Sequence, residues 1–174
     1  MADYGLVGEK LGHSFSKTIH NQIADYNYEL IELTPEGLKE FMTKKDFKAV
    51  NVTIPYKQEV IQYLDEMSEA ARLIGAVNCI KNENGRLIGH NTDFDGLMAL
   101  IDCLGIDMKD KWVLILGTGG TSDTAYAVCD ALGAGRIIKV GRSSKKGNII
   151  YEEAVDGCKA ADIIINTTPC GMYP

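Results

Sequence analysis

The sequence lacks an excess of positive charge, a paired-cysteine motif and any long apolar run, and each absence removes a class of function. Lys and Arg number 18 against 24 Asp and Glu, a formal net charge of −6. The chain as a whole therefore has no general attraction for nucleic-acid backbones. An anionic ligand would have to be held by local cations and backbone N–H groups. Cys79, Cys103, Cys129, Cys158 and Cys170 form no C-x-x-C pair and show no metal-ligand spacing. Scattered and odd in number, they read as buried free thiols in a reducing compartment rather than a disulfide framework. No stretch reaches the roughly 18 apolar residues of a membrane helix, and the start carries no basic segment followed by an apolar one. His13, His20 and His90 have no matching carboxylate or Cys arrangement, so no metal site is expected. There are no repeats and no Pro-rich linker. The expectation is a soluble cytoplasmic protein without nucleic-acid or membrane partners; a homodimer is left open.

What is present is alternation. At 174 residues the chain has room for one full domain or two small ones. "DYGLVG" (3–8) reads as a strand, followed by a helical "SKTIHNQIADY" with Ser16 at the N-cap. "YELIEL" (28–33) alternates like a half-buried strand, and Thr34-Pro35 opens the next helix. "KAVNVTI" is a third strand and "YKQEVIQYLDEM" a third helix, giving the β-α-β-α-β-α order of a mainly parallel sheet covered by helices. "GAVNCIKNENGRLIGHNTD" reads as a hairpin turning at Asn84-Gly85, and "DFDGLMALIDCLG" as a helix stopped by Gly105. The pattern then restarts. "KWVLILG" (111–117) is an apolar strand, "GTGGTS" a glycine turn, and "DTAYAVCDALGA" a helix; "RIIKV" and "DIIINTT" are further strands. This is half of a doubly wound nucleotide-binding domain, which would need about three more strands. The expected fold is α/β, with residues 1–104 a substrate-binding and catalytic domain and 105–174 a partial Rossmann-like domain, the boundary falling within 99–111.

Gly117, Gly119 and Gly120 follow an apolar strand and precede a helix, the context in which a glycine turn approaches a pyrophosphate. Ser122 occupies the third glycine slot of the usual spacing, and a plain tight turn is the competing reading. At the end of the second strand, "KVGRSSKKG" offers no acid for a ribose 2′-OH but instead Arg142, Ser143, Lys145 and Lys146. A carboxylate there would repel a 2′-phosphate, whereas an arginine fork and hydroxyls would hold it, so NADP is expected over NAD.

"GLVGEKLGHSFSKTIH", "NVTIPYK", "GAVN", "NTDFDG", "LGTGGTS" and "INTTPCGMYP" stand in the same order as in the shikimate dehydrogenases of aromatic amino-acid (chorismate) biosynthesis, and the chain resembles that family from near residue 3 to residue 174. The resemblance implies that Ser14 and Ser16 hold the substrate carboxylate, that Thr53, Asn78 and Asp93 contact substrate, and that Lys57 and Asp93 are the catalytic pair. It also implies that Glu69 approaches the cofactor, with Gly117, Thr118, Gly119, Gly120 and Thr121 in the dinucleotide turn and Arg142, Ser143 and Lys146 around the phosphate. Many NADP-dependent family members have Asn-Arg-Thr where this chain has Gly141-Arg142-Ser143, and members usually continue beyond its last residue to complete the nucleotide domain.

A lysine just past a strand end suits alcohol–ketone interconversion, which moves a proton at oxygen while hydride leaves or joins carbon. Whether Lys57 or Asp93 is the main proton carrier stays open. The implied activity is NADPH-dependent reversible reduction of 3-dehydroshikimate to shikimate. The alternatives are a quinate/shikimate dehydrogenase using NAD, and a shikimate-binding fragment without turnover. Ser16 can also be a helix cap, and Thr53 and Asn78 can also satisfy strand-end backbone groups.

Overall fold

The computed structural model describes residues 3–144 and 147–171, apart from the side chains of 156–158. The chain divides into two compact units between Thr92 and Asp93.

The first unit is built on a six-stranded mixed sheet of order β2-β1-β3-β5-β6-β4. β1 (Tyr4–Gly8), β2 (Tyr28–Glu32) and β3 (Ala49–Val52) are parallel, linked by α1 (Ser16–Ile23) and α2 (Pro35–Lys44). β5 (Cys79–Glu83) runs antiparallel to β3 and forms the expected hairpin with β6 (Arg86–His90). Asn84 and Gly85 have φ of 53° and 91°, the paired positive values that let a two-residue turn follow the strand twist. Alternation along the strands splits the core. Val7, Val50 and Val52 face a large cluster with Leu38, Phe41 and Tyr56. On the opposite face Leu6 joins Leu11 and Tyr28 in a smaller one.

One expectation is corrected here and one element is added. The segment 56–67 is not a full α-helix: a 3-10 turn covers Glu59–Tyr63, and the chain then enters β4 (Glu66–Met67), parallel to β6. The helical spacing of Tyr56 and Val60 is real, and both are wholly buried. Pairing to β6 claims the rest: Asp65 N–H donates to Leu87 O at 2.9 Å and Ser68 N–H to Gly89 O at 2.8 Å. A helix the sequence reading passed over, α3 (Glu69–Ile74), follows directly, its start capped by the Ser68 hydroxyl.

The second unit begins at the second residue of α4 (Thr92–Cys103), whose Phe94, Leu97, Met98 and Ile101 pack with Val113 and Ile115 of β7 (Trp112–Leu116). Gly105, at φ 63°, and the bonds Gly105 N–H to Asp102 O and Ile106 N–H to Ile101 O end α4 in a Schellman turn. The sheet is all parallel, in the order β10-β7-β8-β9. β8 is Arg136–Gly141, β9 Ile149–Ile150 and β10 Ile163–Asn166; α5 (Gly120–Ala131) links β7 to β8, and α6 (Tyr151–Gly157) follows β9. α5 begins inside the glycine turn rather than at Asp123. Among the described residues no helix is long and apolar enough to cross a membrane. The thiols are not uniformly buried: Cys129 is buried and Cys79 half-buried, whereas Cys103 and Cys170 are exposed; the Cys158 side chain lies outside the description.

Candidate functional site

In the first unit the predicted residues gather where strand ends meet. Thr53 leaves β3 beside the end of β1: its N–H donates to Val7 O at 2.9 Å, and its methyl lies 2.8 Å from where a Cβ on Gly8 would stand. Four residues on, the Lys57 carbonyl accepts from Val77 N–H at 2.8 Å. The next residue, Asn78, enters β5 with its N–H on His90 O and its carbonyl accepting from Val52 N–H. Backbone pairing alone thus brings the Thr53, Lys57 and Asn78 segments to one rim.

Asn78 is 7 % exposed. Its Oδ1 accepts from Thr92 N–H at 2.8 Å and its Nδ2 donates to the Thr92 hydroxyl at 3.0 Å. The Thr92 hydroxyl also lies 3.2 Å from Oδ1, so of the two donor and two acceptor positions of the amide one donor remains for a ligand. Asp93 is the next residue along the chain, half-buried in the first turn of α4.

Ser14 and Ser16 lie beyond Leu11, whose carbonyl accepts from Ser14 N–H at 2.8 Å. Their hydroxyl oxygens are 3.1 Å apart and half-buried. The capping expectation is corrected: Phe15, one position earlier, is the N-cap by backbone without a capping side chain, while Ser14 Oγ accepts from Ser16 N–H at 3.2 Å and donates to Ser16 Oγ. Missed by the sequence reading were Asn51 and Thr92, each a neighbour within a motif that was singled out. Asn51 Oδ1 accepts from the Tyr28 hydroxyl at 2.7 Å, and its Nδ2 donates to Asn78 O at 3.4 Å. Burial pushes the Tyr28 phenol well above its ordinary pKa, so it stays a protonated donor. Glu69 is the exposed first residue of α3.

In the second unit the glycine turn has the shape a phosphate needs. Gly117 has φ 115°, and a Cβ there would lie 2.5 Å from Thr167 Oγ1, so both conformation and space exclude other residues. Gly119 precedes α5 with no capping side chain, and Cβ atoms on Gly119 or Gly120 would meet nothing within 4 Å. The α5 N-terminus therefore presents backbone N–H groups over open space, with Thr121 exposed beside them. Ser122, in the third glycine slot, is buried and donates to Gly117 O at 2.8 Å, which fixes the turn from inside. Thr118 packs against the end of β8: its methyl is 2.8 Å from a would-be Cβ on Gly141. That close approach accounts for the glycine before Arg142 and Ser143, both exposed. Lys146 and its neighbour Lys145 lie outside the described residues. These features fit a dinucleotide phosphate.

Residues 6–80 match the family described as the shikimate dehydrogenase substrate binding domain. A curated relative, shikimate dehydrogenase (NADP(+)) of Clostridium beijerinckii, is 38 % identical over 189 residues, covering 100 % of this chain and 70 % of its own. The crystal structure of shikimate dehydrogenase 1 from Peptoclostridium difficile superposes with a TM-score of 0.88 at 36 % identity, covering 100 % of this chain and 70 % of that one. The shikimate 5-dehydrogenase of Listeria monocytogenes, solved in complex with shikimate and NAD, gives 0.82 at 28 % identity, with 99 % and 71 % covered. The chain spans about two thirds of the length of the curated relatives it matches, between 66 % and 70 % for two of them. With the strand-end rim and the glycine turn in the expected order, and kinship running along the whole chain, this protein belongs to the shikimate dehydrogenase family.

Proposed function

We propose that the chain carries the substrate site and the phosphate-binding half of the cofactor site of a cytoplasmic, NADP-dependent shikimate dehydrogenase. The observation that carries this reading is the rim formed by Thr53, Lys57 and Asn78, with Asn78 gripping Thr92 immediately before Asp93. In this reading Ser14 and Ser16 donate hydrogen bonds to the substrate carboxylate, and Thr53 and Asn78 orient the ring hydroxyls. Lys57 exchanges a proton with the reacting oxygen, and Asp93 holds that oxygen in place. NADP, when bound, supplies the hydride exchange at carbon. Gly117, Thr118, Gly119, Gly120 and Thr121 would cradle its pyrophosphate, with Arg142, Ser143 and Lys146 at the 2′-phosphate and Glu69 near its nicotinamide end. The basic, acid-free end of β8 favours NADP over the NAD seen with the Listeria relative.

The test is shikimate-dependent formation of reduced nicotinamide by the purified chain, with NADP and then NAD. Turnover with a preference for NADP supports the reading. Shikimate binding without turnover favours a substrate-binding fragment, and absence of both sinks the proposal. Where turnover exists, Lys57→Ala is expected to remove most of it while shikimate still binds; near-normal turnover would eliminate the proton-transfer role.

A further inference from the structure

α1 carries Ser16, yet it is not seated by an apolar face. None of its eight residues is buried. The apolar side chains along it point outward: Phe15, Ile19 and Ile23 are 76, 53 and 68 % exposed. Its contact with the sheet is instead made by His20, one turn after Ser16 on the same face. The His20 ring lies flat on that of Tyr28, centroids 3.8 Å apart and planes 7° from parallel. Its Nδ1 is hydrogen-bonded to the Tyr26 hydroxyl. The other tie from α1 to β2, Lys17 to Glu29 at 3.0 Å, has both side chains about 40 % exposed and is screened by water and salt.

Tyr28 is 2 % exposed, and its hydroxyl reaches Asn51, which in turn donates to Asn78 O. A continuous line of contacts therefore runs from the helix that begins at Ser16, through His20, Tyr28 and Asn51, to Asn78. We infer that His20 is a positioning residue: its stack on Tyr28 holds α1 in place and so sets the Ser14–Ser16 pair in register with Asn78. It touches no substrate atom and acts through the helix. The inference rests on the proposed role of the two serines.

The test uses the whole chain, ¹⁵N-labelled, as wild type, His20→Ala and His20→Phe, with amide exchange and a shikimate titration on the same samples. In His20→Ala, amides of α1 are expected to exchange roughly tenfold faster while β1, β3 and β5 keep their protection, and shikimate affinity to fall by about the same factor. His20→Phe preserves the stack and should recover most of both. Unchanged α1 exchange in His20→Ala overturns the anchor, and so does loss of protection spread evenly over the strands. Faster α1 exchange with unaltered shikimate affinity overturns the positioning role. A wild type that binds no shikimate sinks the substrate reading of the serines and the positioning role with it, while exchange still reports on the anchor.

Discussion

At the scale of single residues, the site is made of groups with two duties. Asn78 is both a clamp on Thr92 and a group with one donor position left for a ligand. Gly117 is both a turn residue at φ 115° and the only side chain small enough beside Thr167. Gly117→Ala is expected to cost about 1–3 kcal/mol through strain and contact together, read as a lower urea midpoint for the second unit. Motifs singled out Thr53, Lys57, Asn78 and Asp93 in the sequence. Asn51 and Thr92 were not picked out, because their partners, Tyr28 and Asn78, are 23 and 14 residues away and only folding reveals them.

At the scale of elements, local chemistry was readable wherever it was decided locally. Thr34 caps α2 through Gly37 N–H with Pro35 behind it, and Asn84-Gly85 turns its hairpin. The segment after Tyr56 was misread because a long-range pairing outranks its helical spacing. Asp65 marks the change: its backbone donates to Leu87 O, and its Oδ2 accepts from Leu87 N–H at 2.7 Å and from Lys45 at 3.3 Å. The Leu87 N–H first, then Lys45, holds the Asp65 carboxyl below its ordinary pKa. A depressed folded-state pKa contributes stability above the unfolded value, and that contribution is lost as pH falls through the folded one. Asp65→Asn should therefore lower the urea midpoint at neutral pH and shrink its fall on acidification, and an identical acid profile would remove Asp65 from the account.

At the scale of the molecule, the restart of the β-α pattern was visible, but the place where one unit gives way to the other was less so. Along the chain the division falls at the first residue of α4. Nothing in an amphipathic helix says which core its stripe serves, and here Phe94, Leu97, Met98 and Ile101 serve the second. Each unit has its own cores, so damage should stay local. Leu38→Ala, at a position 2 % exposed, is expected to cost about 2–5 kcal/mol. Amide exchange should quicken across β1–β6 and much less in β7–β10; equal loss in both would mean that they unfold as one. The sheet borders carry a consequence of a different kind. β4 and β9 end their sheets with two residues each, and β2 carries Glu29 and Glu32, so like charges would face each other if two copies met there.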